Sequence, residues 1–389
     1  MPFPDHLPRS DPIPLPDPSH PLRATAARSD SYQVHIVETA AGAAELVVAE
    51  VNGRDVALVT DTTVRVCHAD ALAGVLRRAG IRVRLAALPP GEGSKQLDTA
   101  YRLLDWLVEG DLRRRDVLLA VGGGVVCDTA GWVASAYMRG MPYVNVPTTL
   151  MAQVDASIGG KVGVDHGRAK NLVGAFYQPV AVVCCLAYLH TLDLRQCRNG
   201  LAEVVKKGVI ASPELFGFVE AEYPAVLSRR PDRLAALVRS AAAVKCALVE
   251  RDPYERELGR PLNFGHTIGH AVETVTGYGP VLHGEAVSLG MAVAVRIALA
   301  RGLLSTLLAD RIVGLLAAIG LPVSRDELGA PVREADLLAA MEKVRQIRDG
   351  RLRFVLPMDL GQVCLLDDVG PDEVCAALDA PADDRAVGA

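Results

Sequence analysis

Apolar and polar positions change period partway along the chain. From Tyr32 to about Pro179, short apolar runs alternate with helix-spaced segments. "YQVHIVE" alternates as an opening strand, and "DVALVTDTTV" reads as a buried strand ending at Asp61. "IRVRLAALPPGEGSK" is a strand running into a glycine-rich turn. "LDTAYRLLDWLVEG" has helical spacing and stops at Gly110, a helix cap by position. "DVLLAVGGGVVCDTAGWVASAYM" reads as strand, glycine loop and helix, and "YVNVPTTLMAQVDAS" as a further strand and turn. Strands alternating with helices predict a parallel sheet in an α/β domain. Beyond Pro179 the period is helical: "NGLAEVVKKGVI", "RLAALVRSAAAVKCALVE", "AVSLGMAVAVRIALARG" and "DRIVGLLAAIG". One late strand-like piece, "RLRFVLP", returns to the core. The fold class expected is therefore α/β + α: a Rossmann-like domain over 32–185 and a mostly helical domain over 186–380, with a cleft between them as the place for a site. The proline-dense start, residues 1–31, and residues 381–389 have no apolar period and are expected to be disordered.

Composition narrows the function. Of 389 residues, 50% are hydrophobic but only 4% aromatic, so the core must be aliphatic. The formal net charge is -5 and no basic block stands out, which argues against a nucleic-acid partner. No uninterrupted apolar run suits a bilayer span, so no membrane partner is expected. The eight cysteines are scattered without a CxxC pair, as reduced thiols of a cytoplasmic protein would be.

Three clusters carry chemistry. Gly122-Gly123-Gly124 follows an apolar strand and opens a helix, where backbone can approach a pyrophosphate. The spacing is not GxGxxG, and such loops are as often plain turns. Thr148, Thr149 and Asp155 at a strand end, with Glu92 and Lys95 near another turn, favour a nucleotide. In "NFGHTIGHAVE", His266 and His270 lie one helical turn apart, with His283 following in "VLHGEAVSLGM" and Glu203 in "GLAEVVKKG". Two imidazoles and a carboxylate with an open position make a catalytic metal set; hydrogen-bonded core histidines are the alternative. "GGKVGVDHGRAKN" gathers Lys161, His166, Arg168, Lys170 and Asn171, and Arg139, Lys206 and Lys245 are further cations for an anionic, phosphate-bearing ligand. Lys245 stands out, because its run "SAAAVKCALV" is otherwise apolar.

Together "GGGVVCDTAG", "RGMPYVNVPTTLMAQVDASIGGK", "AKNLVGAFYQP", "GLAEVVKKG", "LNFGHTIGHAVE" and "LHGEAVSLGM" resemble the dehydroquinate synthase family of sugar-phosphate cyclases, from about Tyr32 to Leu378. The resemblance implies an NAD-binding α/β domain and a helical domain holding a divalent metal, zinc or cobalt. It implies Glu203, His266 and His283 as metal ligands, with His270 facing the substrate phosphate. It further implies Arg139, Asp155, Lys161, Lys170, Asn171, Lys206, Lys245 and Asn263 as active-site residues. Asp61, Glu92, Lys95, Gly123, Gly124, Asp128, Thr148 and Thr149, with Lys161 and Lys170, would hold NAD. A homodimer acting on a sugar phosphate is implied too. The implied reaction is transient oxidation of a ring hydroxyl, loss of phosphate, return of the hydride, ring opening and an intramolecular aldol closure.

Departures bear on the substrate. The arginine that pairs with a substrate carboxylate in dehydroquinate synthase is replaced by Leu258 in "YERELGRPLN", with Arg260 nearer to Asn263. A lysine expected before "RLRFVLP" is absent, with Arg345 and Gln346 near its place, and the usual "NHP" is Asp165-His166-Gly167. Cys185-Leu186 stands where Asp-Thr is common after the last strand of the NAD domain. The short spacing and "RDG" resemble sedoheptulose 7-phosphate cyclases, whose substrate has a hydroxymethyl group in place of the carboxylate. Asn263 and His270 are instead those of dehydroquinate synthase. The expected reaction is a 2-epi-valiolone-type cyclisation in natural-product biosynthesis, with 3-dehydroquinate synthesis as the alternative.

Overall fold

The computed structural model describes residues 30–166, 169–254, 261–347 and 352–379. Nearly all of the Pro-rich start, the final residues, and Arg168, Leu258 and Arg260 lie outside them. So do the side chains of Arg345 and Gln346. Residues Tyr32–Ala389 cluster as one unit.

Six strands form a wholly parallel sheet: β1 (Gln33–Val37), β2 (Val56–Asp61), β3 (Val83–Leu88), β4 (Val117–Gly122), β5 (Tyr143–Pro147) and, after a hairpin, β8 (Ala181–Cys185). Their order is β1-β8-β5-β4-β2-β3. The chain leaves β2 towards β3 on one side, and β4 towards β5 and β8 on the other. The topological switch therefore lies between the C-terminal ends of β2 and β4, at Asp61 and the glycine loop. Both faces are buried: Val56 and Leu58 pack with α1 (Ala40–Val51) and α3 (Asp70–Arg78), while Ala57 and Val59 pack with α4 (Leu97–Glu109) and α5 (Gly124–Ala136). A sheet covered twice explains the continuous apolar runs. The single turn α2 (Thr62–Val64) follows β2.

One detail differs from expectation and one adds to it. Gly110 does end α4, but at φ -88 rather than in the left-handed region, and Asp111 takes the positive φ of 54. A Cβ at Gly110 would crowd the side chains of Arg84 and Leu112, with a Leu112 methyl at 2.6 Å, so both side chains would have to shift to admit one. The "GGKVGVDHGRAKN" stretch, read from the sequence only as a glycine-rich cluster of cations, is part of a strand pair. It forms an antiparallel hairpin, β6 (Lys161–His166) and β7 (Ala169–Phe176), with Gly163 opposite Gly174. The buried Asp165 carboxylate accepts the Asn171 N–H at 2.7 Å.

Helices follow β8: α6 (Leu194–Ala211), α7 (Pro213–Leu227), α8 (Pro231–Arg251), α9 (His266–Thr276), α10 (His283–Ala300), α11 (Thr306–Ile319), α12 (Glu334–Ile347) and, after the hairpin β9 (Phe354–Asp359)–β10 (Gln362–Leu366), α13 (Pro371–Asp379). "RLRFVLP" thus returns as the buried strand β9. The central helix α10 is apolar on nearly every face. It is long and apolar enough to cross a membrane, yet 72% of it is buried within the protein, as a core helix would be.

Glycines set how close the site-bearing helices come. A Cβ on Gly290 would lie 1.9 Å from the Gly265 carbonyl oxygen, and one on Gly269 3.2 Å from the Val287 backbone, so α9 and α10 cross in backbone contact. Gly284 touches the Asn199 carbonyl in the same way, bringing α10 against α6.

Candidate metal and phosphate site

The helix crossings bring Glu203 of α6, His266 of α9 and His283 of α10 together, one ligand atom from each lying within 4.8 Å of the others. Each imidazole is fixed from behind. His266 Nδ1 lies 3.1 Å from the Phe264 carbonyl oxygen, which can only accept, so this nitrogen carries the proton. His283 Nδ1 lies 3.2 Å from Glu273 Oε1. Both Nε2 atoms face Glu203 Oε1, at 3.7 and 3.6 Å. Tetrahedral ligation with bonds of ~2.1 Å separates neighbouring ligand atoms by ~3.4 Å. Glu203 is fully buried, and neither carboxylate oxygen receives an aligned hydrogen bond, although Lys206 Nζ is 2.5 Å away. Buried carboxylate oxygens facing two imidazole lone pairs fit a divalent cation. They are a poor fit for a mere pair of core histidines.

Cations surround this centre. Lys206 and Lys207 are almost wholly buried one turn beyond Glu203. Lys207 and Lys245 both point at Asp155, at 2.8 and 3.0 Å. Lys245 is 4% exposed, so its place in an apolar run is explained by an ion pair rather than by solvent. Burial would raise the Asp155 carboxyl, but Lys207 and Lys245 outweigh it and hold it below the usual range. Burial, reinforced by Lys207 and Lys245, lowers Lys206, against the pull of Glu203 and Asp155. The ring of His270 sits 5.1 Å from His266 and 6.3 Å from His283. Asn263 is half-buried just ahead of α9.

The hairpin and the sheet edge complete the arrangement. Lys170 of β7 reaches Glu273 of α9 at 2.7 Å and Glu92, in the turn after β3, at 3.0 Å. Lys95 pairs with Asp128 of α5 at 2.6 Å. Lys161, at the start of β6, is exposed, as is Asn171. No side chain caps α5, whose N-terminus opens at Gly123 and Gly124. A Cβ on Gly123 would meet the Thr149 methyl at 3.1 Å, and the buried Thr148 hydroxyl has no protein partner. A free helix N-terminus, a loop without side chains and a buried hydroxyl in want of a partner fit a pyrophosphate. Asp61 is engaged locally, one oxygen accepting the N–H groups of Thr63 and Val64. Arg139 is not brought to this edge. It is exposed, at φ 64, beyond the far end of α5 and just before β5, on the sheet's opposite edge.

Two residues at the site carried no role in the sequence reading. Lys207 spans Asp155 and Glu203, and Glu273 joins His283 to Lys170. A sign was available for both: Lys207 is i+4 from Glu203, and Glu273 lies on an apolar helix, two turns from His266.

The comparisons agree with this geometry. Residues 85–199 match the family model described as 3-dehydroquinate synthase N-terminal, and residues 200–346 the one described as 3-dehydroquinate synthase C-terminal. The chain is 55% identical over 368 residues to a 2-epi-valiolone synthase of Actinosynnema mirum, covering 95% of this chain and 96% of that one. It is 44% identical over 326 residues to a 3-dehydroquinate synthase of Desulforamulus reducens, covering 84% and 90%. Among solved structures, ValA (2-epi-5-epi-valiolone synthase) of Streptomyces hygroscopicus subsp. jinggangensis, with NAD+ and Zn2+ bound, superposes with a TM-score of 0.84 at 30% identity, covering 92% of this chain and 98% of that one. Matches along both lobes, with a relative similar over nearly its whole length, establish that this chain belongs to the 3-dehydroquinate synthase family and is an enzyme of its sugar-phosphate cyclase group.

Proposed function

We propose that the chain is an NAD- and metal-dependent cyclase that converts sedoheptulose 7-phosphate into a 2-epi-valiolone-type cyclitol with loss of phosphate, in natural-product biosynthesis. The observation that carries the reading is the Glu203–His266–His283 centre with Lys206, Lys207 and Lys245 packed beside it. The relative at 55% identity supports the substrate class. In this reading Glu203, His266 and His283 hold the cation, and the edge made by Gly123, Gly124, Thr148 and Thr149 holds the dinucleotide. When bound, these groups supply a Lewis acid for a ring oxygen and a reversible hydride acceptor.

The protein's own residues do the rest. Lys206, Lys245 and Lys170 present ammonium groups to the phosphate and to enolate charge as it develops, and their burial makes each contact stronger than it would be in water. Asp155 keeps Lys207 and Lys245 from drifting into solvent. His270, beside both metal-facing imidazoles, offers a donor to the phosphate. The departing phosphate takes the proton released next to the oxidised carbon, so no separate base is required. A dinucleotide held at Gly123, Gly124, Thr148 and Thr149 would be regenerated within each cycle, so the reaction has no net redox change.

A second reading, 3-dehydroquinate synthesis, is favoured by Asn263 and His270, which match that activity's pattern, and by the relative at 44% identity. Offering each sugar phosphate separately and measuring phosphate release distinguishes the two.

A further inference from the structure

Glu273 is a carboxylate behind the metal-facing triad that touches both His283, on the side away from Glu203, and Lys170, a lysine offered to the phosphate. It is 2% exposed, lies on α9 and is reached from two other elements. His283 of α10 places Nδ1 at 3.2 Å from its Oε1, and Lys170 of β7 places Nζ at 2.7 Å from the same oxygen. The other oxygen, Oε2, is buried with no hydrogen-bond partner. Lys170 in turn lies 3.0 Å from Glu92 in the turn after β3. The result is a continuous chain, Glu92–Lys170–Glu273–His283, from the glycine-loop edge of the sheet to the metal-facing triad.

We propose that Glu273 is a positioning residue that fixes His283 with Nε2 towards the metal and holds Lys170 across the cleft, so that one carboxylate sets both the cation site and the phosphate site. The proposal rests on the metal-centre reading given above. Its physical basis is the contrast between the two ligating imidazoles. His266 is oriented by a backbone carbonyl, which is neutral. His283 is oriented by a carboxylate, a stronger acceptor that makes the imidazole a better donor to a cation. The same negative charge holds the Lys170 ammonium against α9 rather than in water. Removing that charge while keeping the shape should therefore weaken two functions at once, and replacing the charge one methylene shorter should restore part of each.

The test uses the full chain. Cobalt(II) affinity is measured by chelator competition for wild type, Glu273→Gln and Glu273→Asp, and the visible absorption bands of the cobalt forms are compared. With activity in hand, kcat and KM for the sugar phosphate are separated. Expected for E273Q is a fall in cobalt affinity of ~10- to 100-fold, altered cobalt bands and a raised KM from the misplaced Lys170, with E273D intermediate in each. Cobalt affinity and bands unchanged in E273Q would overturn the proposal. If wild type itself binds no cobalt, the metal-centre reading fails instead, so the two failures are separable. Should E273Q not fold, histidine-selective NMR of the zinc-loaded wild type decides: His283 protonated on Nδ1 is expected, and His283 protonated on Nε2 overturns the assignment.

Discussion

Gly290→Ala tests how the site is assembled. The added Cβ would lie 1.9 Å from the Gly265 carbonyl oxygen, about 1.5 Å short of an ordinary contact at 3.4 Å. It would also meet the Gly265 carbonyl carbon at 2.8 Å and the Gly269 nitrogen at 3.1 Å. None of these is the end of a flexible side chain, so the strain cannot be relieved by a rotamer change and α9 must move off α10. Overpacking of this kind costs ~1–3 kcal/mol, and a contact made only to backbone falls at the upper end. With ~2.1 cal/mol/K of unfolding entropy per residue over 389 residues, that predicts a Tm lowered by roughly 2–4 °C. The metal consequence should be larger. His266 opens α9 and His283 opens α10, and a metal site tolerates ligand displacements of only ~0.2 Å. Shifting one helix by most of 1.5 Å should weaken cation binding by well over ~10-fold. The assay is thermal unfolding with and without zinc, alongside chelator competition. Gly314→Ala on α11 is the control, since a Cβ there meets nothing within 4 Å. G290A with wild-type Tm and wild-type zinc affinity would refute the argument that backbone contact between α9 and α10 sets the ligand geometry.

Other consequences follow from the same network. Lys245→Met keeps the side chain's bulk but removes one of the two ammoniums on Asp155; because Lys207 remains, the loss should be about 2–3 kcal/mol rather than the ~3–5 of a fully broken buried pair, read as a lower urea midpoint with unchanged slope. Stripping the cation should lower Tm, since a ligand held at ~100 times its Kd contributes ~2.7 kcal/mol; a Tm unmoved by chelator, and by zinc added back, would count against the centre. His68 is buried beneath Tyr188, with Nε2 at 2.8 Å from the Thr191 hydroxyl, and burial holds it below its usual range of 6.5. The unfolded chain therefore binds the extra proton first, so this contribution is fully present above pH ~6.5 and is lost as pH falls towards the depressed folded value. Wild-type Tm should fall more steeply than that of His68→Gln between pH 7.5 and 5, and parallel curves would contradict the assignment.

Much of the fold could be read along the chain because its strands are buried on both faces and its helices keep their period. β2 ends at Asp61 as its apolar run does, and β4 gives way to α5 across the glycines. Helical spacing paired His266 with His270 and left hydrogen-bonded core histidines as the alternative; Glu203, His266 and His283 came together as a set only through the family motifs, because they sit on three separate helices. The β6–β7 hairpin was not legible, because Gly163 and Gly174 interrupt the alternation that marks strands, and their pairing is visible only in three dimensions. Glu273 and Lys207 escaped for a related reason. Each draws its significance from partners far away in sequence, Lys170 and Asp155, and periodicity carries no record of such pairs. Arg139 rests on motif position alone: within the single chain it lies beyond the far end of α5 and just before β5.

The central claim is a cyclisation with no net redox change at the Glu203–His266–His283 centre. The most direct measurement supplies the purified chain with NAD and zinc, offers sedoheptulose 7-phosphate and 3-deoxy-arabino-heptulosonate 7-phosphate separately, and follows phosphate release, NADH absorbance and product mass. The account predicts phosphate and a cyclitol from sedoheptulose 7-phosphate, with no NADH accumulating. Phosphate released from the carboxylated sugar alone, or NADH accumulating in step with turnover, would contradict it.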